Sequence, residues 1–83
     1  MDIAGRLATI QQEIGQVEND KLQQEQMLGL FWEHMPAIDP SLIRDRMQAI
    51  QNKIQALENR KRALLAEQQE LSVRAATLGD QGD

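Results

Sequence analysis

Pro36-Ala37-Ile38-Asp39-Pro40-Ser41 lies near the middle of the 83-residue chain, and how it is read decides the fold. A proline inside a helix removes a backbone hydrogen bond and clashes with the preceding turn, at roughly 3 kcal/mol or more each. That cost disfavours one continuous helix running through the segment as half of a parallel dimer. Pro36 instead ends a first helix. Asp39-Pro40 has the form of a helix start, with a capping carboxylate followed by proline at the first helical position. Ser41 is the competing cap.

Upstream of the turn, Ile3, Leu7, Ile10, Ile14, Val17, Lys21, Gln24, Leu28, Phe31 and Met35 recur at alternating steps of four and three residues. Such a heptad seam lets two helices pack knobs into holes. Leu7, Ile14, Lys21, Leu28 and Met35 occupy its a column; Ile3, Ile10, Val17, Gln24 and Phe31 occupy its d column. Downstream, Ile43, Met47, Ile50, Ile54, Leu57, Lys61, Leu64, Gln68, Leu71, Ala75 and Leu78 continue the pattern without a stutter. Folding back at the turn sets every a residue opposite a d residue, from Met35 with Ile43 and Phe31 with Met47 down to Leu7 with Leu71 and Ile3 with Ala75. The predicted fold is all-α: a two-helix antiparallel coiled-coil hairpin that associates into a four-helix bundle. Helix one spans 1–35, the turn 36–41, helix two 42–78 and a flexible acidic tail 79–83, all in a single domain. Each arm is expected to be about 50 Å long at the α-helical rise.

Bulk composition narrows the function classes. A chain this short buries little surface, and without cysteine neither disulfides nor thiolate metal sites can supplement the core. Self-association remains as the supplement. There is no apolar run of membrane-spanning length and no signal-peptide pattern, so a cytoplasmic setting is expected. The net charge is −4, with six acids against two bases in residues 1–35 and seven of each in residues 36–83. That balance argues against nucleic-acid binding, which needs an excess of Lys and Arg. The basic stretch Arg60-Lys61-Arg62 reads as a solvated helix face, interrupted by Glu58, Glu67 and Glu70.

Two groups of residues stand out from the repeat. Lys21 and Lys61 fall on the seam in adjacent layers, and the register sets Glu58 beside Lys21 and Glu18 beside Lys61. This four-charge waist is expected to fix register, as polar seam residues do. Near the turn, Met27, Leu30, Trp32, Ile38 and Leu42 are apolar yet lie outside the a and d columns. With Ala49 they form the predicted partner-binding surface, since an exposed apolar patch of this size marks an interface. Trp32 is positioned to cover the seam and stack on Arg44. Ala49, Ala56 and Ala63 share a column of helix two beside Arg46, Lys53 and Arg60, a small-residue face open to another helix. Along one edge Asp20 is expected to reach Arg60, whereas Glu13 faces Glu67, a repulsion to be eased by an outside cation or partner. Gly15 and Gly29 lie off the seam, each weakening helix one by about 1 kcal/mol relative to alanine.

Catalytic and cofactor patterns are not found. His34 is the sole histidine, and no HExxH, GxGxxG, P-loop or nucleophile-elbow pattern is present. No cofactor and no metal are expected. The turn, Pro36 to Leu42, resembles that of the needle subunits of type III secretion systems, which implies an assembly subunit. The prolines here are spaced differently, and Ser72 to Asp83 has no counterpart of the polymer-contact tail of those subunits. Trp32 beside a turn is similar to the WXG-type secreted hairpins, although Glu33-His34 stands where that motif needs glycine at its second place. No family is assigned on these residues. The leading expectation is a non-enzymatic protein–protein interaction module, such as a small adaptor, chaperone or inhibitor of bacterial or phage type, binding a protein partner, itself as a homodimer, or both. A structural or secretion-apparatus subunit is the alternative, and a small nucleic-acid-binding regulator the third.

Overall fold

The computed structural model describes residues 2–34 and 39–81. Two helices make up the fold: α1, Ile3–Glu33, and α2, Pro40–Gln81. They pack against each other along their length in opposite directions, giving a rod of 69 × 17 × 15 Å. The all-α antiparallel hairpin is therefore the architecture of the chain. Among the described residues no helix is long and apolar enough to cross a membrane.

The ends of the helices follow local chemistry. α1 stops at Glu33, where the His34 N–H donates to the Leu30 carbonyl at 2.9 Å and the backbone leaves the helical region. At the start of α2, the Asp39 Oδ1 accepts the Ser41 N–H and the Ser41 hydroxyl, both at 3.0 Å. Asp39 is thus the cap, and Ser41 is its donor instead of a rival to it. Pro40 takes the first helical position, where its missing N–H costs nothing and its fixed φ suits the helix. Consequently α2 begins at Pro40, two residues before the boundary read from the sequence. At its far end it continues to Gln81, past the predicted stop at Gly79 and into the predicted tail. Met35, Ile38 and the last two tail residues lie outside the described residues.

Burial follows the heptads closely. Ile10, Val17, Leu64 and Leu71 form one buried cluster, against which Ile3, Leu7, Ile14 and Leu57 pack in part. Ile43 and Ile50 are buried nearer the turn. All six buried residues belong to the d column of their helix, while the described a-column residues are partly accessible or, at Ala75, exposed. No polar or charged residue is buried among the described residues. A two-helix rod has only one seam to hide apolar surface in, so whatever the sequence places elsewhere stays in solvent.

Candidate interaction surface

The end of the rod nearest the turn carries apolar side chains that the seam does not take up. Trp32 is 65% exposed, Leu30 56%, Leu42 53% and Met27 46%. They fall on two flanks, because residues e and g of a heptad lie on opposite sides of the seam. On one flank Trp32 shares an open groove with Pro40, Ile43, Arg44 and Met47. Trp32 borders the seam there without covering it. On the other flank Met27, Leu30, Phe31 and His34 line a second groove. Leu42 and Ala49 are exposed on α2. Ile38, also placed on this surface by the sequence, lies outside the described residues.

Halfway down the rod four charges meet. Lys21 Nζ lies 3.2 Å from Glu58 Oε1, and Lys61 Nζ lies 2.7 Å from Glu18 Oε1. Lys21 also approaches Glu25 at 3.8 Å, one turn further along its own helix. The hydrogen bond from Lys61 and its positive charge lower the Glu18 carboxyl below the ordinary carboxylate value. Hydrogen bonding to Glu58 raises the Lys21 ammonium. The pairs are half in solvent, so their attraction is screened and they add little stability.

The acid-facing-acid contact expected between Glu13 and Glu67 is resolved within the chain. Arg6 Nε donates to Glu67 Oε2 at 2.7 Å and its Nη2 to Glu67 Oε1 at 2.8 Å, a bidentate pair. Its Nη1 lies 3.6 Å from Glu13. Arg60 approaches Glu13 at 3.7 Å. Thus no outside cation is required, and Arg60 pairs with Glu13 in place of the expected Asp20. The pairing runs diagonally across the seam, one heptad away from the residue level with each guanidinium: Arg6 reaches Glu67 and Arg60 reaches Glu13. The bond from Arg6 lowers the Glu67 carboxyl, and the same bond raises the Arg6 guanidinium.

Along that same edge, between the helices, runs a groove lined by Glu13, Gln16 and Asp20 of α1 and by Lys53, Ala56 and Arg60 of α2. Among the described residues neither Asp20 nor Lys53 makes an ion pair. Glu13 Oε2 and Gln24 Oε1 are shielded acceptors that no donor hydrogen-bonds. In the basic stretch Arg60-Lys61-Arg62, two of the three cations face acids of α1, Glu13 and Glu18. Beyond Gly15 and Gly29 there is open space. Leu22, Leu65 and Val73 are exposed as well, and sequence reasoning did not single them out. Their signal was present: each is a large apolar residue outside the a and d columns.

No family model, curated protein or solved structure matches this chain.

Proposed function

We propose that the chain is a non-enzymatic protein-interaction module, a small adaptor, chaperone or inhibitor, that engages a protein partner through the tip of the hairpin. The observation that carries this reading is the exposure of Trp32, Leu30, Leu42 and Met27 together at one end of the rod, where the exposed large apolar residues are most densely grouped. Tryptophan is enriched among the residues that dominate binding energy at interfaces, because it buries a large area with little loss of freedom. The grooves beside it are open and shallow, and suit a partner's side chains better than a small molecule held on all sides. A cytoplasmic location is part of the reading, supported by the polar composition of the chain, with a mean hydropathy of −0.54. The four waist residues serve register in this reading and do not contact the partner.

Trp32 supplies its own reporter, being the one tryptophan. Affinity capture from cells of the source organism, with the wild-type chain and Trp32→Glu compared, is the test. The expected result is a protein retained by the wild type and lost with the variant at unchanged helicity, and a blue shift of Trp32 emission when that protein is added. Equal retention by both chains would remove the tip from the account. A second reading, an assembly subunit, draws on the exposed Leu22, Leu65 and Val73 away from the tip. It requires polymers that grow with concentration in light scattering.

A further inference from the structure

We infer that copies of this chain stack side by side with all tips at one end, the g and c columns of α2 in one copy lying against the e and b columns of α1 in the next. The inference rests on the assembly reading and gives it a definite contact. Its basis is a second heptad pattern, on faces that the hairpin leaves in solvent. On α2, Arg46, Ala49, Lys53, Ala56, Arg60 and Ala63 alternate at steps of three and four. On α1, Gly15, Glu18, Leu22, Glu25, Gly29 and Trp32 do the same. A helix lies along another on a stripe with that spacing.

The seam within the chain fixes which residues are level. Each position on the α1 stripe is one residue on from a seam position, and each on the α2 stripe is one residue back from its seam partner. The two faces are therefore turned by the same angle about the rod, and copies related by simple translation meet with no shift along it. The pairs are complementary at each level. Lys53 comes to Glu25 of the next copy, and Arg60 to Glu18. Arg46 comes to Trp32, a guanidinium against an aromatic ring. Between the charges Ala49 meets Gly29, Ala56 meets Leu22 and Ala63 meets Gly15, small residues that let the helices close on the exposed Leu22. Further down Glu67 meets Gln11, and no like charges are set opposite each other.

These side chains are available for a second contact. Lys53 makes no ion pair among the described residues, and Glu25, Glu18 and Arg60 are 49%, 52% and 60% exposed. A Cβ at Gly15 or Gly29 would meet nothing within 4 Å, so the chain's own packing does not require glycine at either place. A two-fold axis along the rod would instead pack one flank on itself. The g flank would then bring Arg6 to Arg74 and Glu13 to Glu67, and the e flank would bring Glu18 to Glu58. Like charges brought together across an interface discriminate strongly between docking modes. Because the two stacking faces differ, each copy added leaves one of each open, and association continues past two copies. Met27 and Leu30 lie on neither face, and Trp32 stays open in the copy at one end.

Sedimentation equilibrium of the whole chain should give a mass that rises with concentration past twice the 9.4 kDa of one chain. Glu25→Lys alone and Lys53→Glu alone should each weaken association about tenfold, since an ion pair becomes a like-charge contact. Mixing the two variants should restore it, with the two kinds of chain alternating, and circular dichroism should show the helices intact throughout. Gly15→Gln should raise the melting temperature, because glycine is a poor helix former, yet weaken association by filling the close approach. Orientation is read from a single spin label at Gln48→Cys, near the tip and on neither stacking face, in a chain that has no other cysteine. Tips together hold neighbouring labels about one rod width, 17 Å, apart, whereas opposed tips carry them toward opposite ends of a 69 Å rod. A monomer at all concentrations, an assembly that stops at two copies, or opposed tips overturns the inference. Association indifferent to both charge changes also overturns it, while leaving assembly through another face. Capture of a different protein at the tip is judged separately, because Glu25→Lys and Lys53→Glu leave Trp32, Met27 and Leu30 in place.

Discussion

Ile10→Ala tests whether the seam within one chain is what holds the fold. Ile10 is fully buried, at 0% exposure, within the cluster of Val17, Leu64 and Leu71. The substitution removes three carbon atoms. At about 0.8 kcal/mol per buried methylene their transfer accounts for about 2.5 kcal/mol, and an incompletely closed cavity raises the loss to about 3–4 kcal/mol. A domain of this length has roughly 4–12 kcal/mol in all. With only six buried residues described, this hairpin belongs in the lower part of that range, so the variant should lose a large share of its stability. The matching control is Leu65→Ala, which trims a residue 45% exposed and should cost less than about 1 kcal/mol. Urea unfolding followed by far-ultraviolet circular dichroism measures both. Runs at two protein concentrations separate folding from association, since dimerisation makes apparent stability concentration-dependent. Equal losses for the two variants would refute the reasoning, because a hairpin with this seam cannot be indifferent to Ile10.

Acid should weaken the fold through Glu18, Glu67 and Asp39. Their carboxyls are lowered by hydrogen bonds from Lys61, Arg6 and Ser41 respectively, so their stabilisation is complete above the ordinary carboxylate value and is lost as pH falls through the lowered ones. Melting temperature against pH should show this acid limb, and Glu67→Gln should flatten part of it; an unchanged limb would rule Glu67 out as a contributor. Replacing Lys21 and Lys61 together by leucine should raise the melting temperature but broaden the distance between spin labels on Ala4 and Ser72, as the alignment of the helices loosens. A distance distribution as narrow as in the parent would deny the waist its role in register. Asp39→Ala should lower the melting temperature, and Asp39→Asn should retain most of it, since asparagine caps about as well; equal loss in both would contradict the capping geometry.

Much of the architecture was legible because a coiled coil writes its contacts into a seven-residue period. Ile10, Val17, Leu64 and Leu71 declare their burial by position alone, and Asp39-Pro40 declares a helix start by the chemistry of its atoms. Column membership also sets which flank a charge occupies, which is why Lys21 was read beside Glu58. It does not say how far along the flank a long side chain extends. Arg6 reaches Glu67 and Glu13 at once, and Arg60 passes Asp20 for Glu13, choices governed by the reach of a guanidinium and not by period. The extension of α2 past Gly79 was illegible for a related reason. A glycine weakens a helix but does not by itself end one, and none of the described glycines takes the positive φ of a helix-terminating cap. The tip was visible in the sequence as an apolar surplus, and its division into a Trp32 flank and a Met27 flank follows from their e and g columns.

The described ends of the two helices, Ile3 and Gln81, leave the rod from the same extremity. A pull applied to them therefore loads the packed layers in series, beginning with the layers of Ile3 and Leu7 and travelling toward the turn, as a zipper opens. Each layer carries the force alone. The rod should come apart at far lower tension than one grasped at opposite extremities, where all layers shear together.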